Sequence, residues 1–330
     1  MNPLVTVVTP SFNTARFIRE TIESVHSQDY PAIEHIIIDG GSTDGTLQIL
    51  KEYPHLTWVS EPDRGQSDAV NKGFRRAKGE IIGWLNSDDT YTPGAVSYSV
   101  DFLQEHPEVD AVHSDCNVVD ENSQLLWVVK SQPFRLDTFL MKSYIKQPTV
   151  FMCRRVVETL GGVDENLDYV MDREFWLRVG MAFKMEYLPE RILANFRLCP
   201  GTKSYEEAPK FHTFWLQVLE RIFRDPAFDL PEALKKAARQ KSMGGYFLTS
   251  ATSALKNNNR LAAFNYLLQA VYHDRNLVRN RGFWFYVSNV CFGTQLAGEK
   301  IKKLSSQQDH RLGLSDRDFG KKDLNDVRKS

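Results

Sequence analysis

"IIGWLNSDDT", residues 81–90, runs from a buried-type strand into two adjacent acids, Asp88 and Asp89. Like charges this close raise the cost of each other's ionisation unless a positive group binds them. Two readings are open. The pair closes a turn and caps the helix that Pro93 begins, since proline suits a first helical turn. Alternatively, the pair holds a metal and, through it, an anionic ligand. Taken alone, the stretch favours turn and cap, so the surrounding sequence has to decide.

Strand and helix patterns alternate on the N-terminal side. "LVTVVTPSF" (4–12) is apolar and β-rich, and in the segment after it Phe17, Ile18, Thr21, Ile22 and Val25 share one helical face, with Asn13 placed to cap it. "IEHIIID" (33–39), "LTWVSEPD" (56–63) and "EIIGWLNSDD" (80–89) read as further strands, separated by helical segments. Apolar strands alternating with helices predict an α/β fold with a mostly parallel sheet covered on both faces. Ligands of such sheets bind beyond the carboxyl ends of the strands. The polar clusters "TPSFN", "DGGSTDGT", "SEPDRG" and "NSDD" all fall at such ends, which points to one composite site.

From about residue 109 to 200 the pattern is mixed. "VDAVHSD", "LLWVVK" and "QPTVFMCR" read as strands, "MDREFWLRVG" as a helix, and "KMEYLPERILANFRL" as strand, turn, strand. After about 205 helical patterns dominate, and the last two, joined at "NNN", resemble a tetratricopeptide-like pair. The division expected is an α/β domain over 1–205, a helical appendage over 206–304 and a loosely ordered polar tail over 305–330.

The 330 residues suffice for a sizeable core, and a net charge of -1 gives no case for nucleic-acid binding. Cys116, Cys153, Cys199 and Cys291 form no CxxC and read as free thiols of a reducing compartment. The start, "MNPLVTVVTPSFN", shows no secretory signal, and no apolar run reaches the roughly 18 residues of a spanning helix. These features predict a cytoplasmic protein. The aromatic stretch at 281–304 has basic flanks, and reads either as a helix closing the appendage or as a contact with the inner face of a membrane. P-loop, GxSxG and HExxH patterns are absent.

Six segments in order, "VTVVTPSFN", "IIIDGGSTDGT", "SEPDRGQSDAVNKG", "GEIIGWLNSDD", "QPTVFMCRRVVETLGGVDENL" and "MDREFWLRV", make residues 4–200 resemble the family-2 inverting glycosyltransferases with the GT-A fold, the type found in bacterial polysaccharide and glycolipid biosynthesis. The resemblance implies a mixed, mostly parallel sheet and transfer from a nucleotide-diphosphate sugar, in the first place a UDP-sugar, to a glycan or lipid-linked acceptor. It implies a divalent metal, Mn²⁺ or Mg²⁺, held by Asp89, with Asp88 toward the ribose or the metal's water shell. In this context the paired acids read as a metal site. Where the family often has a further acid, this chain has Asn86.

By the same resemblance Asp172 is the catalytic base, the carboxylate that takes the acceptor proton. Asp39 would read the base edge, although Gly40 stands where a second acid is common. Thr9, Pro10 and Phe12 would line the nucleotide pocket. Asp63, Arg64, Asn71 and Lys72 are candidates for holding the donor. Gln147, with Pro148, is placed on the acceptor side, as are Asp164 and Glu165 unless they only form a turn. Cys199 replaces a histidine that can help bind metal or diphosphate; it suits a hard cation poorly and reads as a buried thiol, with Arg197 left as a diphosphate partner. The rivals are a non-catalytic nucleotide-sugar-binding scaffold and a nucleotidyltransferase.

Overall fold

The computed structural model describes residues 2–226 and 228–279, together with 283, 284, 287 and 290. The first half alternates: β1 (Val5–Ser11), α1 (Ile18–His26), β2 (Ile33–Asp39), α2 (Thr46–Leu50), β3 (Thr57–Ser60), α3 (Gln66–Arg76) and β4 (Ile81–Trp84). Then come β5 (Thr90–Tyr91), α4 (Ala95–Glu105), β6 (Ala111–Val119), β7 (Leu125–Val129), α5 (Leu136–Met141), β8 (Phe151–Cys153), α6 (Arg154–Leu160), α7 (Met171–Ala182) and β9 (Met185–Arg197). Helices α8 (Lys203–Glu206), α9 (Ala208–Arg224), α10 (Glu232–Lys256) and α11 (Arg260–His273) follow.

One mixed sheet results, in the order β3-β2-β1-β4-β8-β6-β9-β5, with β7 on β6. β3, β2, β1 and β4 run parallel, and β8 then turns the direction over. Strands rich in Val and Ile are buried on both faces, as a helix-covered parallel sheet requires. Ile18, Thr21, Ile22 and Val25 form the buried face of α1, as their spacing predicts. The register sets Ser11, Asp39 and Ser60 side by side at the ends of β1, β2 and β3.

Three local readings change. Asn13 does not cap α1: it takes a left-handed conformation (φ 52°), and its Oδ1 accepts from the Thr43 amide at 2.8 Å, tying two loops of the site together. Residues 185–197 form one strand, because a bulge opposite Ser114 and Asp115 absorbs the residues read as a turn, with Glu190 at φ 60°. "QPTVFMCR" divides into a 3-10 turn, Gln147–Thr149, and the short β8.

Helix α9 joins the main core, where buried Trp215, Val218 and Leu219 cluster with Phe139, Leu140 and Trp176. Helices α10 and α11 build a second cluster around Ala251, Ala263 and Leu267. Among the described residues no helix is long and apolar enough to cross a membrane. The 305–330 tail, and most of the 281–304 stretch, lie outside the described residues.

Helix α3 lies on β1 through Gly73. A Cβ there would stand 2.1 Å from Val8 Cγ1, and Val8 is fully buried. Gly73→Ala is expected to cost about 1–3 kcal/mol by overpacking. Urea unfolding checks this, and an unchanged midpoint would contradict so close an approach.

Candidate active site

The turn after β4 is held by Arg197, at the end of β9. Its backbone N–H donates to Asp89 Oδ1 (2.8 Å) and its Nε to the Asp88 carbonyl (2.9 Å). Nη1 donates to the Asp120 carbonyl (3.0 Å) and to Ser123 Oγ (3.1 Å), and Nη2 to Glu20 Oε2 (2.6 Å). The guanidinium also lies over the Phe17 ring at 4.6 Å. Only 1% exposed, this arginine pins α1, the acidic turn and the β6–β7 turn together. Four of its five guanidinium N–H groups bond the protein, which gives Arg197 a structural role at the cavity wall beside the sequence reading of it as a diphosphate partner.

The two acids divide. Asp88 lines a cavity of about 530 Å³, which Asp89 does not. Asp89 is buried, and its Oδ2 has no hydrogen-bond partner. Burial raises both carboxyls above their ordinary range, and for Asp89 the neighbouring Asp88 adds to the effect. Among the described residues neither carboxylate has a salt bridge, and no cluster of three His, Cys, Asp or Glu side chains could hold a metal by itself. A hard cation such as Mg²⁺ is commonly held by one or two carboxylates plus substrate phosphates and water. The orphaned Oδ2 beside a cavity-facing Asp88 fits that donor set.

The same cavity is lined by Asp172, Gln147, Asn86 and Lys146. Asp172 lies in the first turn of α7. Burial raises its carboxyl, while the Arg173 N–H and then the Lys146 ammonium pull the other way. Gln147 donates to the Trp84 carbonyl at the end of β4 and leaves its Oε1 unpartnered. Asn86 Oδ1 accepts from Trp84 Nε1 and Gln66 Nε2, both at 3.0 Å, so this amide fastens the strand end.

Asp39 lies outside that lining and is fully buried. Its carboxylate accepts from the Gly41 and Ser42 amides (3.0 and 2.9 Å) and from the Ser42, Ser60 and Ser11 hydroxyls (2.5, 2.7 and 3.3 Å). With five protein donors on about four lone-pair sites, it is the tie between three strand ends. Gly40 has a steric reason, since a Cβ there would stand 2.5 Å from Asp63 Oδ2. Asp63 Oδ1 accepts from the Gly65 amide (2.8 Å). Phe12 is 61% exposed beside these loops, whereas Thr9 is buried and its hydroxyl bonds His35 (3.0 Å). Pro10 is buried within β1.

The remaining candidates brace two loops. Asn71 Nδ2 donates to the Val163 carbonyl (2.9 Å) and Glu165 Oε1 (3.0 Å), and Asn71 Oδ1 accepts from the Val163 amide (2.9 Å). Arg64 pairs with Glu165 and Asp68, and Lys72 with Glu61 and Asp68. Asp164 accepts from Arg221 on α9 (2.5 Å). Arg64 and Asn71 join the loop after β3 and helix α3 to the loop before α7, Lys72 braces the loop after β3 on α3, and Asp164 ties the loop before α7 to α9; none of them lines the cavity.

Residues 6–159 match the family described as "Glycosyl transferase family 2". An uncharacterized glycosyltransferase of Mycobacterium tuberculosis is 34% identical over 184 residues, which span 54% of this chain and 70% of that one. The chain belongs to the family-2 glycosyltransferases. Its GT-A fold is shared with S. aureus TarS 1-349, solved in complex with UDP-GlcNAc (TM-score 0.56, 19% identity, 94% of this chain and 92% of that one). The mannosyltransferase PcManGT from Pyrobaculum calidifontis, solved with GDP-Man and Mn2+, is equally similar (TM-score 0.56, 21% identity, 94% and 85%).

Sequence reasoning missed part of this glycosyltransferase's cavity wall. His212 and Trp215 of α9 and Ser242 of α10 line it, yet nothing local in an amphipathic helix tells which face will meet a cavity. Lys146 carried a signal, a basic residue directly before the "QP" pair, that went unused. Cys199 is buried, and burial raises its thiol, as a structural cysteine requires.

Arg197→Gln is expected to cost about 2–4 kcal/mol, because buried carbonyls and the Glu20 carboxylate lose their donors. Chemical unfolding reads it; a loss below about 1 kcal/mol would show that the clamp is dispensable.

Proposed function

We propose that this glycosyltransferase moves a sugar from a nucleotide-diphosphate sugar, in the first instance a UDP-sugar, to a hydroxyl of a glycan or lipid-linked acceptor, by a single displacement with inversion. The observation that carries this reading is that Asp88 and Asp172 line one cavity, which opens at the end of the parallel strand β4, and ligands of such sheets bind beyond strand ends. Nucleotide sugars in the two structural neighbours support the donor class.

Asp172 accepts the proton of the acceptor hydroxyl, whose oxygen forms the new bond to the anomeric carbon. The bond from that carbon to the diphosphate breaks, and its electron pair leaves with the nucleoside diphosphate. Burial lifts the Asp172 carboxyl, which makes its carboxylate a stronger base than an exposed aspartate. A divalent cation, Mn²⁺ or Mg²⁺, on Asp88 with Asp89 behind it would supply positive charge to the departing diphosphate. Phe12 offers its exposed ring to the base, Thr9 and Pro10 shape the strand end beneath it, and Asp63 Oδ2 over Gly40 offers an acceptor. Asp39 anchors these loops, and a base contact of its own requires a serine hydroxyl to give way. Gln147 Oε1 is free for the acceptor side. The aromatic 281–304 sequence with its basic flanks supports work at the cytoplasmic face of a membrane.

Nucleotide-sugar binding and turnover with and without Mn²⁺ test this reading. Asp172→Asn is expected to keep donor binding and lose about 10²–10⁴-fold in turnover. Asp88→Ala is expected to lose metal-dependent binding. Wild-type turnover in Asp172→Asn would reject the assignment of the base. In wild type, activity is expected to fall as pH drops through the raised Asp172 pKa, so the acid limb of kcat/KM lies above the ordinary aspartate value of 3.8.

A further inference from the structure

Lys146 lines the cavity, and neither the fold nor the reaction above has used its side chain. Its backbone is fixed: the carbonyl accepts from the Thr149 amide (3.0 Å) and hydroxyl (2.8 Å), and the next residue, Gln147, is fastened to the end of β4. Its side chain crosses the Phe196 ring, with Nζ 5.1 Å from the centroid. Phe196 precedes Arg197, whose amide holds Asp89, and the ammonium lies near enough to the acidic turn to act on the Asp89 carboxyl.

The lysine is half-buried, and among the described residues it has no ion pair and no side-chain hydrogen bond. Other cations of the cavity are committed: Arg197 is the clamp, Arg173 donates to the Phe139 carbonyl (2.7 Å) and stacks on Trp215, Lys241 pairs with Asp274 (2.9 Å), and exposed Lys203 reaches the Asp168 carbonyl (3.4 Å) and the Tyr169 ring; Lys142 also lines the wall and has an interaction of its own. A partly desolvated cation without a counter-ion is costly unless an anion arrives. The acids nearby, Asp89 and Asp172, feel its charge at longer range without pairing with it.

We propose that Lys146 binds the diphosphate of the donor and stays on it as the nucleoside diphosphate leaves, a second positive charge beside the Asp88–Asp89 cation site. This rests on the nucleotide-sugar reading. The lysine moves no proton; it stabilises negative charge that grows as the sugar–phosphate bond breaks.

Calorimetric binding of UDP, GDP and uridine, in EDTA and in Mn²⁺, tests it. Lys146→Ala is expected to weaken the preferred nucleoside diphosphate by about tenfold or more, as loss of a charged contact does, and to leave uridine unchanged. Lys146→Arg is expected to keep most of the affinity, and thermal unfolding to show all variants folded. Equal diphosphate affinity in wild type and Lys146→Ala would overturn the proposal alone. So would a parallel loss of uridine, which would mean that the lysine only props Phe196. If the wild type binds neither UDP nor GDP in either buffer, the donor reading itself fails and takes this proposal with it.

Discussion

Arg197 sits where three parts of the chain that are far apart in sequence meet. It reaches Glu20 on α1 and Phe17 just before that helix, Asp88 and Asp89 after β4, and Asp120 and Ser123 after β6. A guanidinium supplies five donors in a rigid fork, which lysine could not imitate. Burying that charge is expensive, and it is offset by Glu20 and by two backbone carbonyls. What the contact secures is direction: Asp89 faces inward on the Arg197 amide, which leaves Asp88 to the cavity.

A second tension runs through the same place. Burial disfavours ionisation of Asp88, Asp89 and Asp172, and Asp88 makes Asp89 worse. Two oxygens near the site, Asp89 Oδ2 and Gln147 Oε1, are buried without partners. A fold tolerates such groups where something else completes them. A cation, a diphosphate and an acceptor hydroxyl together would do so; Gln147 lines the cavity itself, and Asp89 lies behind Asp88, which does. The strand-end network around Asp39 is the opposite case, complete within the protein, and it works as scaffold.

Much of this was legible in the sequence. Strands such as "VTVVTPS" and "IEHIIID" announce themselves by composition, and the polar clusters at their ends lie where an α/β sheet puts its ligands. Asp88 and Asp172 could be chosen from motif and order. What could not be read was which way a side chain turns. Asp88 and Asp89 are neighbours, and only the amide of Arg197, more than a hundred residues later, decides which is buried. Asn71, Arg64 and Glu165 look like ligand groups in a linear reading; the segments they tie together, α3 with the loop after β3 and the loop before α7, meet only in three dimensions. The bulge at Glu190 replaced an expected turn because pairing with β6 continues past it.

The proposed chemistry turns on a single displacement in which Asp172 activates the incoming oxygen opposite the diphosphate. The configuration of the first sugar released decides it, when the enzyme hydrolyses an α-configured nucleotide sugar without acceptor and NMR follows the product before mutarotation. A displacement of this kind releases the β anomer first. Initial release of the α anomer would mean retention, and would contradict the role of Asp172 as the base.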